Sequence, residues 1–221
     1  MENKINIKDR IGIMGGTFDP IHYGHLAVAE EARIKYKLSK IIFIPSGLPP
    51  HKDRKVSDSF HRWNMALIAT LDNEDFGVST MEVERKGPSY TIDTLKEIKN
   101  SHPNSQLYFI LGADAFYDIE TWSRVDEVFK MAIFVGATRP GSTSKKLKDH
   151  VEYISKKYNG TINMINVPSL EISSTDIRRR VREGLSIKYL VPWGVCSYIK
   201  KYNLYRWLED ELWRYKIESR K

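Results

Sequence analysis

The stretch that most constrains the fold of this chain is residues 11–26, with the sequence IGIMGGTFDPIHYGHL. Its first four residues are apolar apart from one glycine, a pattern typical of a strand that is buried on both faces. Gly15 and Gly16 follow directly and let the backbone approach a ligand closely. Asp19 and Pro20 then have the order expected where a helix begins, with Asp as the cap and Pro just inside. The stretch therefore predicts a strand, a glycine-rich turn and a helix, the arrangement in which α/β proteins bind phosphate groups.

Two histidines lie at the start of the predicted helix. His22 and His25 are three positions apart and so share one face of its first turn, and Gly24 leaves the surface between them without a side chain. Imidazole donors beside a helix start can stabilise a polyphosphate under attack. Paired histidines could also bind a metal, but the sequence shows no third ligand at a useful spacing. The Walker A and Gly-x-Gly-x-x-Gly patterns of common kinases and dehydrogenases are missing.

The motif in residues 16–25, Gly-Thr-Phe-Asp-Pro-Ile-His-Tyr-Gly-His, resembles the His-x-Gly-His motif of the nucleotidyltransferase superfamily, which class I aminoacyl-tRNA synthetases share. The sequence of this motif is most similar to that of the nicotinate-nucleotide adenylyltransferase family, and the resemblance extends to about residue 205. It implies transfer of AMP from ATP to nicotinate mononucleotide, which gives deamido-NAD and pyrophosphate. The residues that it implies for ATP binding are Gly15, Gly16, Thr17, Phe18, His22, Gly24, His25, Gly112, Asp114, Ser174, Thr175 and Arg178.

The composition favours a soluble globular protein that binds anions. The chain has 221 residues, of which 41% are hydrophobic, and no apolar run is long enough to span a membrane. Its first ten residues lack the apolar segment of a signal peptide, and the single Cys196 excludes an internal disulfide, so a reducing cytoplasm is the simplest location. The net charge of +7 favours anionic partners. Because no RNA-binding or zinc-finger pattern occurs, we expect small phosphates rather than nucleic acid or a membrane.

Apolar strand patterns alternate with helical patterns along the chain. The predicted strands span residues 11–14, 40–44, 76–83, 106–111, 133–137 and 161–167. This order predicts an α/β fold, a doubly wound, Rossmann-like parallel sheet with helices on both faces. We assign residues 1–205 to one nucleotidyltransferase domain with a small helical C-terminal part from about residue 174. Residues 206–221 predict an extra amphipathic helix that packs on the body or on another subunit of a homo-oligomer.

The resemblance implies an acceptor site made of residues from several loops. Lys52 lies near the end of a Pro-rich loop, residues 46–53, which either closes over a phosphate as a lid or is an ordinary solvated connection. Tyr90 and Thr91 match the family's Ser-Tyr-Thr segment, implied to bind the pyridine nucleotide. Helix capping alone would also explain the hydroxyl groups of Ser89 and Thr91. The sequence leaves both alternatives open.

Two further residues are implied for the acceptor. Trp122 is implied to stack on the pyridine ring, although most tryptophans only pack. Arg139 matches the family's Arg-Pro-Gly and could bind a phosphate with two parallel hydrogen bonds. Arg62 matches a family position as well, but a surface role or a structural ion pair explains it equally well.

The remaining candidates concern ATP. Asp114 follows the predicted strand 106–111, where a carboxylate could accept hydrogen bonds from ribose or could cap a helix. The sequence Ile-Ser-Ser-Thr-Asp-Ile-Arg resembles the second ATP signature of the superfamily. Its Ser174, Thr175 and Arg178 could meet on the β- and γ-phosphates, although any capped helix could begin in this way. The same stretch therefore predicts a helix and a phosphate contact.

The resemblance implies catalysis by positioning and charge stabilisation. His22 and His25 would contact the triphosphate, and Arg178 the departing pyrophosphate. Mg²⁺ would be held mainly by the phosphates of ATP, so no protein metal site is expected. Three alternatives remain open, namely a different phosphorylated acceptor such as nicotinamide mononucleotide, a nucleotide-binding module without catalysis, and a basic RNA-binding protein.

Overall fold

The computed structural model describes residues 9–48, 56–138, 144–167 and 170–206. Strands and helices alternate along these residues, with two short 3₁₀ helices at Ala113–Tyr117 and Ile119–Thr121. In chain order the elements are β1 (Arg10–Gly16), α1 (Tyr23–Tyr36), β2 (Lys40–Pro45), α2 (Ser59–Thr70), β3 (Phe76–Val78), α3 (Thr91–Ser101), β4 (Gln106–Gly112), α4 (Val125–Met131), β5 (Ile133–Thr138), α5 (Lys145–Lys157), β6 (Ile162–Asn166), α6 (Ser174–Arg182) and α7 (Trp193–Lys201).

The six strands form one parallel sheet in the order β3-β2-β1-β4-β5-β6. All six predicted strands are present, and the predicted doubly wound topology is confirmed. β3 is shorter than predicted, because the N–H of Ser79 makes a last bond to the carbonyl of Phe43, 2.9 Å, and a turn follows. Strands are added on one side of β1 up to β3 and on its other side from β4 onward. The carboxyl ends of β1 and β4 therefore flank the crevice where such sheets bind ligands.

Helices cover both faces of the sheet, because alternate residues of each central strand point to opposite sides. Ile11 and Ile13 belong to a core cluster with α3, α4 and α5. Met14 belongs to a second cluster with α1, α2 and α7 on the other face. Burying both faces excludes water from the strands and places the polar residues of the site at the ends of the sheet.

The C-terminal helices complete the second core cluster. Ile177 of α6 and Val195 of α7 are fully buried in it, and so is Tyr205 beyond α7. The domain boundary at about residue 205 stays a prediction, and the proposed tail helix lies outside the described residues from 207 onward. None of the helices in the described residues is long and apolar enough to cross a membrane.

Candidate active site

The turn between β1 and α1 is longer than the sequence predicts. α1 begins at Tyr23 with His22 as its N-cap, so the predicted helix entry at Asp19 and Pro20 is wrong. Asp19 is instead 1% exposed, and its carboxylate accepts a hydrogen bond from the hydroxyl of Tyr205, 3.0 Å. A local pattern could not show this, because the partner lies 186 residues further along the chain.

The two histidines form a stacked pair at the start of α1. Their ring centroids are 3.7 Å apart, and the backbone N–H of His22 donates to Nδ1 of His25, 3.2 Å. Because Nδ1 accepts this bond, a neutral His25 carries its proton on Nε2. Gly24 permits the pair, since a Cβ at this position would lie 3.0 Å from the ring of His22. The helix start therefore presents an oriented imidazole donor.

Burial keeps both imidazoles neutral in the protein without ligand. Desolvation lowers the pKa of His22 to about 4. Burial, together with the charge of a protonated His22, lowers the pKa of His25 well below its ordinary value. Nδ1 of His22 is buried and has no hydrogen-bond partner among the described residues. Such an atom calls for a partner, and a bound ligand or an ordered water would supply one.

Stability should therefore fall as the pH drops. Between about pH 6.5 and pH 4 the unfolded chain binds a proton at His22 that the folded chain does not, so the free energy of unfolding decreases with falling pH. At about 1.4 kcal/mol per pH unit, the loss that His22 contributes is roughly 3 kcal/mol. Urea unfolding of wild type and His22→Gln at several pH values measures it. An equally steep loss in the variant would contradict the assignment to His22.

Two adjoining cavities open at the carboxyl ends of β1 and β4. The first cavity has a volume of about 360 Å³ and the second about 390 Å³, sizes that suit small-molecule sites. Both are lined by Met14, His25 and Gly112. His25 therefore lies at the junction where a ligand in one cavity would meet a ligand in the other.

The glycine-rich turn and part of the predicted acceptor site line the first cavity. Thr91 and Trp122 line it, and the rings of Trp122 and Phe109 make a T-shaped contact with centroids 5.9 Å apart. Tyr90 is the N-cap residue of α3, is 40% exposed and does not line this cavity. Because Tyr90 holds the N-cap position, neither Ser89 nor Thr91 is the N-cap residue of α3. The turn residues in the lining are Gly15, Gly16, Thr17 and Phe18.

Sequence reasoning missed a buried carboxyl group in the first cavity. Glu82 lines this cavity, and its Oε1 accepts a hydrogen bond from the hydroxyl of Thr94, 2.6 Å. Burial raises the pKa of the Glu82 carboxyl, while the bond from Thr94 opposes that shift. No motif marked this residue, because the sequence pattern placed it at the end of a predicted strand.

Five of the twelve residues predicted to bind ATP line the second cavity, whereas four others, Gly15, Gly16, Thr17 and Phe18, line only the first. His22, Gly24 and Asp114 line the second cavity together with the shared His25 and Gly112. Asp114 lies in the 3₁₀ helix that follows β4, and Gly112 rather than Asp114 is the N-cap there. Asp114 is thus not the cap of this helix and lines the cavity beside the histidine pair.

The second ATP signature packs behind the turn. Ser173 caps α6, since its Oγ accepts a bond from the N–H of Asp176, 3.1 Å. Arg178 is buried and donates to the hydroxyl of Thr175, 3.1 Å. Within the described residues, Ser174, Thr175 and Arg178 line neither cavity. Their contact with the phosphates stays a prediction.

Arg62 has a structural place that its sequence position did not reveal. Its side chain is 1% exposed, which rules out a surface role. It donates to the carbonyl oxygens of Ser57, 2.9 Å, Thr17, 2.8 Å, and Gly47, 2.9 Å. Arg62 therefore joins the glycine-rich turn to the segment that leaves β2. Lys52 and Arg139, both predicted to bind phosphate, lie outside the described residues.

No arrangement of three or more His, Cys, Asp or Glu side chains suitable for a metal ion occurs among the described residues. The acidic groups that line the cavities, Glu82 and Asp114, lie in different ones. The donor set does not fit a Mg²⁺ site built from protein side chains, whereas a Mg²⁺ ion carried by a triphosphate needs few protein ligands.

Comparisons with known proteins identify the family of this chain. A family model described as cytidylyltransferase-like matches residues 13–180. A protein of Thermoanaerobacter sp. (strain X514) named probable nicotinate-nucleotide adenylyltransferase is 54% identical over 199 residues, 89% of this chain and 94% of that protein. A protein of the same name from Moorella thermoacetica is 48% identical over 206 residues, 92% of this chain and 95% of that protein.

Solved structures are similar as well. Plasmodium falciparum nicotinic acid mononucleotide adenylyltransferase complexed with NaAD matches with a TM-score of 0.72 and 28% identity, over 89% of this chain and 97% of that one. The same protein complexed with APC gives a TM-score of 0.70 and 27% identity, with the same coverage. With the sequence matches, these likenesses show that this chain belongs to the nicotinate-nucleotide adenylyltransferase family.

Proposed function

We propose that this protein transfers AMP from ATP to nicotinate mononucleotide, which gives deamido-NAD and pyrophosphate. The observation that carries the proposal is the pair of cavities that meet at His25 and Gly112. ATP would occupy the second cavity, and nicotinate mononucleotide the first. The α-phosphate and the acceptor phosphate would then come together beside His25, as a direct transfer between two bound nucleotides requires.

On the ATP side, each lining residue has a role that suits its position. The carboxylate of Asp114 would accept hydrogen bonds from the ribose hydroxyls. His22 and His25 would face the phosphates, and the bare backbone at Gly24 would let them approach the helix start. Because Nδ1 of His25 accepts the bond from the backbone, the group that His25 can donate to a phosphate is its Nε2–H.

On the acceptor side, Trp122 would stack on the pyridine ring, and Thr91 at the start of α3 would lie near its carboxylate. Tyr90 would contact the nucleotide from the rim. Lys52 and Arg139 would bind the acceptor phosphate, a role that rests on the family resemblance alone. The loop 46–53 would close over the first cavity.

The chemistry needs no strong base, since the acceptor phosphate is already an anion. One of its oxygens forms a bond to the α-phosphorus, and the bond from that phosphorus to the bridging oxygen of pyrophosphate breaks. Negative charge grows on the leaving pyrophosphate, where the imidazole donors stabilise it. Mg²⁺ held by the phosphate oxygens would neutralise part of this charge. The cytoplasmic location stays a prediction.

A pyrophosphate-release assay tests the proposal. ATP and Mg²⁺ are supplied with nicotinate mononucleotide, nicotinamide mononucleotide or pantetheine phosphate, and we expect the highest kcat/KM with the first. A higher value with another acceptor would overturn the substrate assignment. Calorimetry that detects ATP binding while no acceptor releases pyrophosphate would favour a non-catalytic module. RNA retention that weakens steeply with salt would favour the third alternative.

A further inference from the structure

Side chains from distant segments of the chain donate hydrogen bonds to the main chain of the turn between β1 and α1. Three of its main-chain carbonyl groups, within residues 17–20, accept hydrogen bonds from outside the turn. The donor and acceptor pairs are Arg62 with Thr17, 2.8 Å, Arg178 with Asp19, 2.7 Å, and Ser174 with Pro20, 2.8 Å. Two of the three donors are guanidinium groups, so positive charge lies behind the turn.

These bonds act on the residues that face the ligands. Within one peptide unit the C=O and N–H point in opposite directions, so holding the carbonyl of Thr17 aims the N–H of Phe18 the other way. Phe18 lines the first cavity. The bonds to Asp19 and Pro20 fix the chain directly before His22, and so fix where the histidine pair stands.

The carboxylate of Asp19 completes this arrangement. Its side chain is fully buried, and its Oδ2 lies 4.0 Å from Nη1 of Arg178, the nitrogen that also donates to the Asp19 carbonyl. Asp19 therefore holds one guanidinium with both its main chain and its side chain. A buried carboxylate is costly unless cations and hydrogen bonds compensate it, so the position of Arg178 depends on this charge.

Tyr205 in turn holds the carboxylate. Its hydroxyl donates to Oδ1 of Asp19, 3.0 Å, and its side chain is 1% exposed. Burial, with the charge of Asp19, raises the pKa of Tyr205, so the phenol keeps its proton and stays a donor. The backbone of Tyr205 is in the left-handed region, with φ 70°, which a tyrosine adopts rarely. Tyr205, which follows α7, is thus tied into the turn.

We propose that Asp19 and Tyr205 are positioning residues of the adenylyl transfer: Tyr205 fixes the Asp19 carboxylate, Asp19 fixes Arg178 against the turn, and the turn sets the histidine pair against the phosphates. The proposal rests on the proposed function. It assigns a role in turnover to two residues that line neither cavity.

Tyr205→Phe is the sharpest test, since it removes one hydroxyl group and little else. We expect kcat to fall about tenfold while the KM values for ATP and for the acceptor change by less than about twofold, because misplaced donors act mainly on the transition state. Tyr108→Phe is the matched control: Tyr108 is buried in β4, and its hydroxyl bonds Gln106 at the opposite end of the sheet. The control should keep the wild-type kcat. Melting curves confirm that both variants are folded at the assay temperature.

A double-mutant cycle tests the route through Arg178. Asp19→Asn should lower kcat by about 10²-fold. In an Arg178→Lys background, Tyr205→Phe should lower kcat no further, because the guanidinium through which Tyr205 and Asp19 act on the turn is gone. A folded Tyr205→Phe enzyme with wild-type kcat, or a full tenfold loss in the Arg178→Lys background, would overturn the proposal. If Asp19→Asn does not fold, these two results still decide. A wild-type protein that releases no pyrophosphate would instead refute the proposed function.

Discussion

His25→Ala is expected to lower kcat by about 10²–10³, while the affinity for ATP changes little. His25 lines both cavities, at the point where the α-phosphate would be attacked. Its Nδ1 is occupied by the N–H of His22, so the free donor is Nε2–H. A donor that is fixed before the reaction stabilises the charge that grows on the leaving pyrophosphate more than it stabilises bound ATP. The loss should therefore appear in kcat. Steady-state kinetics and calorimetric titration with ATP measure the two quantities.

Two isosteric variants separate this donor from the structural bond. His25→Asn keeps an acceptor near the position of Nδ1 but lacks a group at Nε2, so it should fold normally and lose turnover as alanine does. His25→Gln places an amide N–H near the position of Nε2 and should retain more turnover. Melting curves are needed for all three variants, because the pair is partly buried rather than open to solvent. A folded His25→Asn enzyme with near-normal kcat would show that the histidine is structural.

Sequence patterns predicted the architecture because its causes are local. Each strand is a short apolar run. Each connection between neighbouring strands is long enough to hold a helix, and this alternation of strands and helices predicts a parallel sheet. The glycines after β1 and the helix after them placed His22 and His25 correctly at one end of the sheet. Asp114 was predicted from its place after a strand that ends at the crevice, whereas Thr91 and Trp122 were identified from the family resemblance.

The framework behind the site could not be predicted, since its causes are non-local. Arginine side chains are mostly exposed, and only the tertiary structure supplies the three carbonyl groups that bury Arg62. Asp-Pro is a common helix entry, so the pattern favoured a cap at Asp19. The hydroxyl of Tyr205 offers its carboxylate a buried partner instead. Long-range hydrogen bonds of this kind override local preference, and they shifted the start of α1 from the predicted position to Tyr23.

The enzyme is expected to prefer nicotinate mononucleotide over nicotinamide mononucleotide by roughly 10- to 100-fold in kcat/KM, the difference that one charge-assisted hydrogen bond makes. α3 begins beside the first cavity, and its N-cap residue Tyr90 makes no side-chain capping bond. The positive end of this helix favours a carboxylate, whereas an amide would turn an N–H₂ group toward N–H donors. Trp122→Ala is the matched control, since loss of stacking should weaken both acceptors alike and leave the ratio unchanged. Measured specificity constants that are equal, or that favour the amide, would show that the start of α3 does not read the carboxylate.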